Sequence, residues 1–125
     1  MALPNLSGIP PVDFKNLQDL RAQPLDEGSL FDRIYPIFKK ESPGLLAKIE
    51  ENLDLKDSEG VYEPMHKLKG SASAMGASRL FELCQSALEM CRGNTIFDEP
   101  NLMHQLTVEI DAYQRTIDSL FPEYA

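Results

Sequence analysis

Apolar residues recur at intervals of three and four along most of this chain. Met65, Leu68, Ala72 and Met75, for example, follow that spacing, which places their side chains on one face of an α-helix. No segment shows the alternating pattern, rich in Val, Ile and Thr, that is typical of a half-buried strand. The sequence therefore predicts an all-α protein.

Prolines and glycines interrupt the start of the chain. We expect residues 1–12 to form an extended lead-in, because these residues prevent a helix there, and residues 13–125 to form one helical domain. Asp13 is a candidate N-cap for a short helix whose buried face carries Phe14, Leu17 and Leu20.

A longer apolar series runs from Leu30 to Leu53, with Ser29 as its candidate N-cap. Pro36 and Pro43 interrupt this series, and each proline removes a hydrogen bond within a helix. The segment can form one long kinked helix or two helices that meet near Ser42. We predict the long helix.

The next helix carries the stripe from Met65 to Met75. Asp57 or Ser58 is its candidate cap. Pro64 is unfavourable within a helix unless the first regular turn begins only at about Gly60 or Val61, so the start of this helix stays open. Gly76 ends it.

Two more amphipathic segments follow. The first spans Leu80 to Cys91 and ends at Gly93. The second is expected to begin at Asp98 or Glu99, before a proline suited to a first helical turn. Its apolar face consists of Leu102, Leu106, Ile110, Tyr113, Ile117 and Leu120 or Phe121. Together the segments predict an antiparallel four-helix bundle with a short extra N-terminal helix.

Charge and hydropathy exclude several classes of partner. Of the 125 residues, 20 are acidic and 12 basic, so the net charge of −8 repels nucleic-acid backbones. No apolar run reaches the ~18 residues that span a bilayer, and the first residues do not resemble a signal peptide. We expect a cytoplasmic protein with no nucleic-acid or membrane partner. Cys84 and Cys91 lie two helical turns apart, too far for a disulfide, and are expected as buried thiols.

His66 is the strongest candidate for function. It lies away from the apolar stripe and shares a helix face with Lys69, Gly70 and Ser73, so we expect its imidazole in solvent. The small residues that follow allow a partner to approach closely. A phosphoryl group on the ring would require a nearby cation, and Lys69 lies one turn away.

Other chemistries have less support. The potential zinc ligands, besides carboxylates, are His66, His104, Cys84 and Cys91. They follow no recognised metal-binding spacing, so we expect no metal. The chain has no Gly-x-Ser-x-Gly elbow, which argues against a serine hydrolase. It also has no nucleotide-binding loop, so a phosphoryl group would have to come from another protein.

A continuous motif connects these features. His66-Lys67-Leu68-Lys69-Gly70-Ser71, followed by Gly76-Ala77 and Leu80, resembles the His-x-Leu-Lys-Gly-Ser signature of histidine-containing phosphotransfer (HPt) domains. The resemblance extends from about Leu30 to Phe121. In detail the pattern is most similar to the phosphotransfer domains of bacterial anoxic-respiration sensor kinases.

The resemblance implies a carrier rather than a kinase. His66 would accept a phosphoryl group from an aspartate of a hybrid kinase's receiver domain and pass it to a response regulator. The receivers would supply Mg²⁺, so no cofactor of the chain's own is expected. We expect a monomer.

The resemblance also implies roles for neighbouring residues. Lys69 would pair with the phosphoryl oxygens, Gly70 would give clearance, and Arg92 would be a second basic residue near the site. Lys67 and Ser73 are candidate docking residues. Where many members have a Gln or Glu that orients the histidine, this chain has Leu88, and Gln85 is the candidate substitute.

Two other functions stay open. Leu88 and Pro64 would suit a scaffold that docks receiver domains without accepting phosphoryl, whereas an enzyme with His66 as general base has the least support. Candidates for an apolar docking patch, each more simply interpreted as core, are Tyr35, Ile37, Phe38 and Tyr62.

Overall fold

The computed structural model describes residues 3–25 and 27–125; Met1 and Ala2, at the start of the predicted lead-in, and Asp26 lie outside the described residues. Two short 3₁₀ segments and no strand occur in these ranges. The α-helices are α1 (Phe14–Ala22), α2 (Leu30–Asp54), α3 (Ser58–Met75), α4 (Ser78–Arg92) and α5 (Leu102–Leu120). The predicted all-α class is confirmed.

Hydrogen bonds between helix ends show how the helices run. The Ser58 hydroxyl donates to the carbonyl oxygen of Cys91 at 2.9 Å, so the start of α3 lies beside the end of α4. The Tyr35 hydroxyl donates to the Asp118 carboxylate at 2.9 Å, which joins the first part of α2 to the last part of α5. The structure is therefore an antiparallel bundle of four long helices, and α1 is the short extra helix.

Helix α2 continues through both of its prolines, as predicted. Pro36 and Pro43 are exposed, while the opposite side of the helix is buried in the core. The helix begins with a capping box, in which the Asp32 carboxylate accepts from the Ser29 N–H at 2.7 Å and the Ser29 hydroxyl accepts from the Asp32 N–H at 3.3 Å. Packing of the buried side outweighs the hydrogen bonds that the prolines remove.

The turn between α3 and α4 also anchors α1. Gly76 caps α3 in the left-handed region, with φ of 68°, and its carbonyl oxygen accepts from the Asp13 N–H at 2.7 Å. Asp13 in turn caps α1, because its side chain accepts from the Asn16 N–H. The predicted caps Asp13, Ser29 and Asp57 are thus confirmed.

The predicted apolar faces form a single core. The apolar stripe of α3 is buried at all four positions, Met65, Leu68, Ala72 and Met75. The apolar residues that helical spacing predicts between Leu80 and Cys91 of α4 are buried too. Both cysteines are buried, unpaired thiols, as expected. Residues from before α1 join this core as well, namely Leu6 and Val12.

Two expectations are wrong, namely the burial of Phe14 and the start of α5. Phe14 is 50% exposed, and Val12 occupies the neighbouring core position instead. Helix α3 begins at Ser58, directly after its cap Asp57, and continues through Pro64, because burial of Val61 and Pro64 outweighs the lost hydrogen bond.

Helix α5 begins at Leu102 rather than at Asp98 or Glu99. Residues Ile96–Asp98 form a 3₁₀ turn, and Glu99 has ψ of 84°, since a residue before proline disfavours the helical conformation. At the other end, Leu120 is 47% exposed, whereas Phe121 packs partly against the core.

Candidate functional site around His66

His66 lies in the middle of α3, on the side opposite the buried stripe. Its neighbours Met65 and Leu68 have no exposed surface, whereas His66 and Lys67 are exposed. The amphipathic spacing thus does two things: it fixes α3 against the core and presents the imidazole to solvent. The predicted exposure of His66 is confirmed.

An aromatic side chain lies beside the imidazole in a parallel, offset arrangement. The rings of Tyr62 and His66 lie nearly parallel, at 13°, with their centres 6.0 Å apart. The two residues are one helical turn apart, and helical side chains lean toward the N-terminus, so the histidine ring lies over the turn that carries Tyr62.

Arg92, at the end of α4, contacts Tyr62. Its guanidinium donates a hydrogen bond to the Tyr62 hydroxyl at 2.8 Å, and its central carbon lies 5.5 Å from the centre of the tyrosine ring. Arg92 is therefore near the site, as expected, but it contacts Tyr62 by a hydrogen bond and a cation–π interaction.

Lys69 lies one turn beyond His66 and leans toward α4. Its ammonium nitrogen is 5.6 Å from the centre of the Phe81 ring, within the range of a cation–π contact. Burial raises the pKa of the nearby Cys84 thiol to about 12, and the charge of Lys69 acts in the opposite direction. Phe81 was not among the predicted site residues, since nothing in the local sequence pattern indicates a contact between helices.

The surface on the other side of His66 is open. A Cβ atom added to Gly70 would meet no atom within 4 Å. Beside it runs a groove of about 470 Å³ between α2 and α3, which includes Lys67 and Gly70. Its other lining residues are Ile34, Ile37, Phe38, Glu41, Leu45, Ser71, Ala74 and Met75. Both Lys67, a candidate docking residue, and Gly70, expected to give clearance, thus line this groove.

Of the candidates for the docking patch, Tyr35 and Phe38 are mainly core residues, at 0% and 4% exposure. Ile37 is 48% exposed and lines the groove. Tyr62 is half-buried against the core and stacks on His66. Helical spacing on α2 could have identified Ile34 and Leu45 as further groove residues.

None of the remaining candidates makes a hydrogen bond or ring contact with the imidazole within the described residues. Leu88 is 1% exposed and belongs to the core. Gln85 is half-buried, and in the described part of the chain no hydrogen bond joins it to His66. Ser73 is exposed and lines a separate depression with Asn16 and Phe81.

Within residues 3–25 and 27–125, no group of three or more His, Cys, Asp or Glu side chains could hold a metal ion. Over the same ranges no helix is both long enough and apolar enough to cross a membrane.

The family model of the Hpt domain matches residues 33–116, which include His66 and all its contacts described above. Over 49 residues, 39% of the chain, the sequence is 39% identical to the aerobic respiration control sensor protein ArcB of Escherichia coli. The match to ArcB of Shigella flexneri has the same extent.

A longer but weaker match is to histidine-containing phosphotransfer protein 2 of Arabidopsis thaliana, 27% identical over 101 residues. It covers 77% of this chain and 65% of that protein. By contrast, the matched stretch is only 6% of each ArcB sensor, so the chain corresponds to a small part of those proteins.

Proposed function

Because this chain belongs to the Hpt domain family, we propose that it is a phosphoryl carrier in a multistep His-Asp phosphorelay and that His66 is the phosphoacceptor. The observation that carries this proposal is the exposed imidazole in the middle of α3, with Lys69 one turn away and an open surface at Gly70. The relatives named as a sensor protein and a phosphotransfer protein support the same role.

The chemistry requires little of the chain itself. A ring nitrogen of His66 attacks the phosphorus of an aspartyl phosphate on a receiver domain, so that a P–N bond forms and the P–O bond to the aspartate breaks. The carboxylate is the leaving group. Transfer to a response regulator reverses these steps with a second aspartate.

Each participant then has a separate task. The receiver provides Mg²⁺ and the acidic pocket, while this chain provides a positioned nucleophile and one cation, Lys69, for the phosphoryl oxygens. Gly70 and the groove beside it, which includes Lys67, allow the receiver to approach. We propose that the chain does this as a cytoplasmic monomer without ATP-dependent kinase activity.

A scaffold that docks receivers without accepting phosphoryl is the second candidate. The observation in its favour is that Leu88 is buried and that no hydrogen bond joins Gln85 to His66 in the described ranges. On this alternative the groove beside Gly70 is retained and His66 has no chemical role.

Phosphotransfer from a labelled receiver separates these functions. The protein is incubated with a phosphorylated receiver domain and Mg²⁺, and the label on the chain is tested for stability in acid and base. We expect acid-labile, base-stable label on the wild type and on His104→Gln, since His104 is the exposed histidine of α5, and none on His66→Gln. Label that persists in His66→Gln would contradict the assignment, and docking without label on the wild type would favour the scaffold.

A further inference from the structure

We propose that Tyr62 is a positioning residue for His66 and that Arg92 acts on the site by holding Tyr62. This inference rests on the proposed phosphoacceptor role of His66. The juxtaposition that carries it is a chain of contacts from α4 to α3: guanidinium to phenol, and phenol ring to imidazole.

An exposed side chain on a helix normally samples several rotamers. His66 is exposed, yet the Tyr62 ring lies parallel to one of its faces at a centre-to-centre distance of 6.0 Å. Offset-stacked aromatic pairs at such distances attract each other beyond the area they bury. The contact favours one ring orientation, in which the imidazole lies parallel to and offset from the Tyr62 ring and stays exposed to a partner.

Tyr62 can restrict His66 because its own ring is held from two directions. Its inner side packs against the hydrophobic core. Its hydroxyl accepts the hydrogen bond from Arg92 at 2.8 Å, and the same guanidinium lies 5.5 Å from the ring centre. Because Arg92 belongs to α4, the ring is fixed relative to two helices rather than one.

Orientation matters for this reaction, since in-line attack needs the nitrogen lone pair aimed at phosphorus. A receiver brings its own pocket, so the carrier contributes through how often the imidazole is in the productive rotamer. Loss of the stack therefore lowers the transfer rate at saturating receiver, whereas loss of a docking contact would raise the receiver concentration needed for half-maximal rate.

The first test replaces the ring. Tyr62→Leu is expected to lower the saturating transfer rate about three- to tenfold, and Tyr62→Phe, which keeps the ring, to restore it to within about twofold of wild type. Phe97→Leu is the matched control, because Phe97 is also half-buried, with the Lys56 ammonium 5.4 Å from its ring centre, but lies in the 3₁₀ turn after α4 and makes no ring contact with His66 in the described residues. We expect Phe97→Leu to leave transfer unchanged.

The second test asks whether Arg92 acts through Tyr62. Arg92→Ala is expected to lower the saturating rate about twofold in the wild type and to have no further effect in Tyr62→Leu. An equal loss in both backgrounds would mean that Arg92 acts directly on the phosphoryl group, which would overturn this part of the proposal.

A measurement on the unphosphorylated protein keeps the two proposals separate. Proton NMR should show cross-peaks between the Tyr62 and His66 rings, retained in Tyr62→Phe, and a shift of the His66 ring protons in Tyr62→Leu. Absence of these cross-peaks, or an unchanged saturating rate in Tyr62→Leu, would overturn the role of Tyr62 alone. If the cross-peaks are present and no receiver labels the wild type, it is the phosphoacceptor role of His66 that fails, and the role of Tyr62 in transfer fails with it.

Discussion

The ammonium nitrogen of Lys69 lies 5.6 Å from the centre of the Phe81 ring, so a residue of α4 holds the cation that α3 places one turn from His66. The contact keeps the long side chain against the bundle while leaving it partly exposed. Lys69 is thereby available to an anion at His66 without being buried in the core.

The first prediction concerns this lysine. Lys69→Ala should lower phosphotransfer from a receiver about ten- to hundredfold, because a charge-assisted contact to the phosphoryl oxygens is lost. The free energy of unfolding should fall by no more than about 1 kcal/mol, the value of an exposed cation–π contact. Transfer kinetics and urea unfolding measure the two effects. Lys15→Ala, an exposed lysine of α1, should change neither, and a large stability loss in Lys69→Ala would mean a structural role.

Gly70 allows stability and function to be separated. A Cβ atom there meets nothing within 4 Å, so Gly70→Ala should stabilise the helix by about 0.5–1 kcal/mol. Gly70→Gln should be comparably stable but slow phosphotransfer, because the larger side chain obstructs the partner. Gly44→Ala, in an equally open position on α2, is the matched control: it should stabilise the protein without affecting transfer. Normal transfer by Gly70→Gln would contradict the proposed docking side.

Gly76 should respond in the opposite direction. Its φ of 68° is unfavourable for a residue with a side chain, and an added Cβ would lie 2.8 Å from the Asn16 side-chain oxygen. Gly76→Ala is therefore expected to lower the free energy of unfolding by about 1–2 kcal/mol. Urea denaturation measures it, and a variant as stable as the wild type would show that this turn is less constrained than the structure indicates.

Local sequence patterns were sufficient for most of the fold. Helical spacing identified the buried stripes of α3 and α4, and side-chain caps identified the starts of α1 and α2. The errors occurred where tertiary packing overrides local preference. Phe14 fits an apolar face of α1 by spacing, but Val12 occupies the core, and Pro100 fits a first helical turn but precedes α5.

The same distinction between local pattern and tertiary packing applies to the residues around His66. The exposure of His66 and the open surface at Gly70 follow from positions on one helix, so the sequence predicts them. The contacts of Tyr62 with Arg92 and of Lys69 with Phe81 join α3 to α4. They depend on how the two helices are rotated against each other, which a single sequence does not specify.

An ion pair between half-buried Arg79 and buried Glu109 joins α4 to α5. The Arg79 guanidinium donates two hydrogen bonds to one carboxylate oxygen of Glu109, at 3.0 and 3.2 Å, and the Glu109 side chain is 2% exposed. Arg79→Met leaves that carboxylate buried without its partner and should cost about 2–4 kcal/mol. In Arg79→Met/Glu109→Met both charges are gone, so the double variant should be more stable than Arg79→Met. Urea unfolding of Arg79→Met, Glu109→Met and the double variant decides this, and additive losses would show that the pair is not coupled.

The last prediction concerns the two thiols. Burial raises the pKa of Cys84 to about 12 from an ordinary 9.0, and burial likewise raises the pKa of Cys91. The folded state therefore holds these protons more tightly than the unfolded state. The contribution of Cys84 to the free energy of unfolding is thus complete below about pH 9 and is lost as pH rises toward 12.

At pH 8 the thiolate fraction of Cys84 is lowered about a thousandfold, and the thiolate is the reactive form. Native protein should consequently react with a thiol reagent only as fast as it opens, whereas Lys15→Cys, with an added surface thiol, should incorporate one equivalent rapidly. Rapid labelling of the wild type without denaturant would mean that the α3–α4 core opens far more readily than its packing indicates.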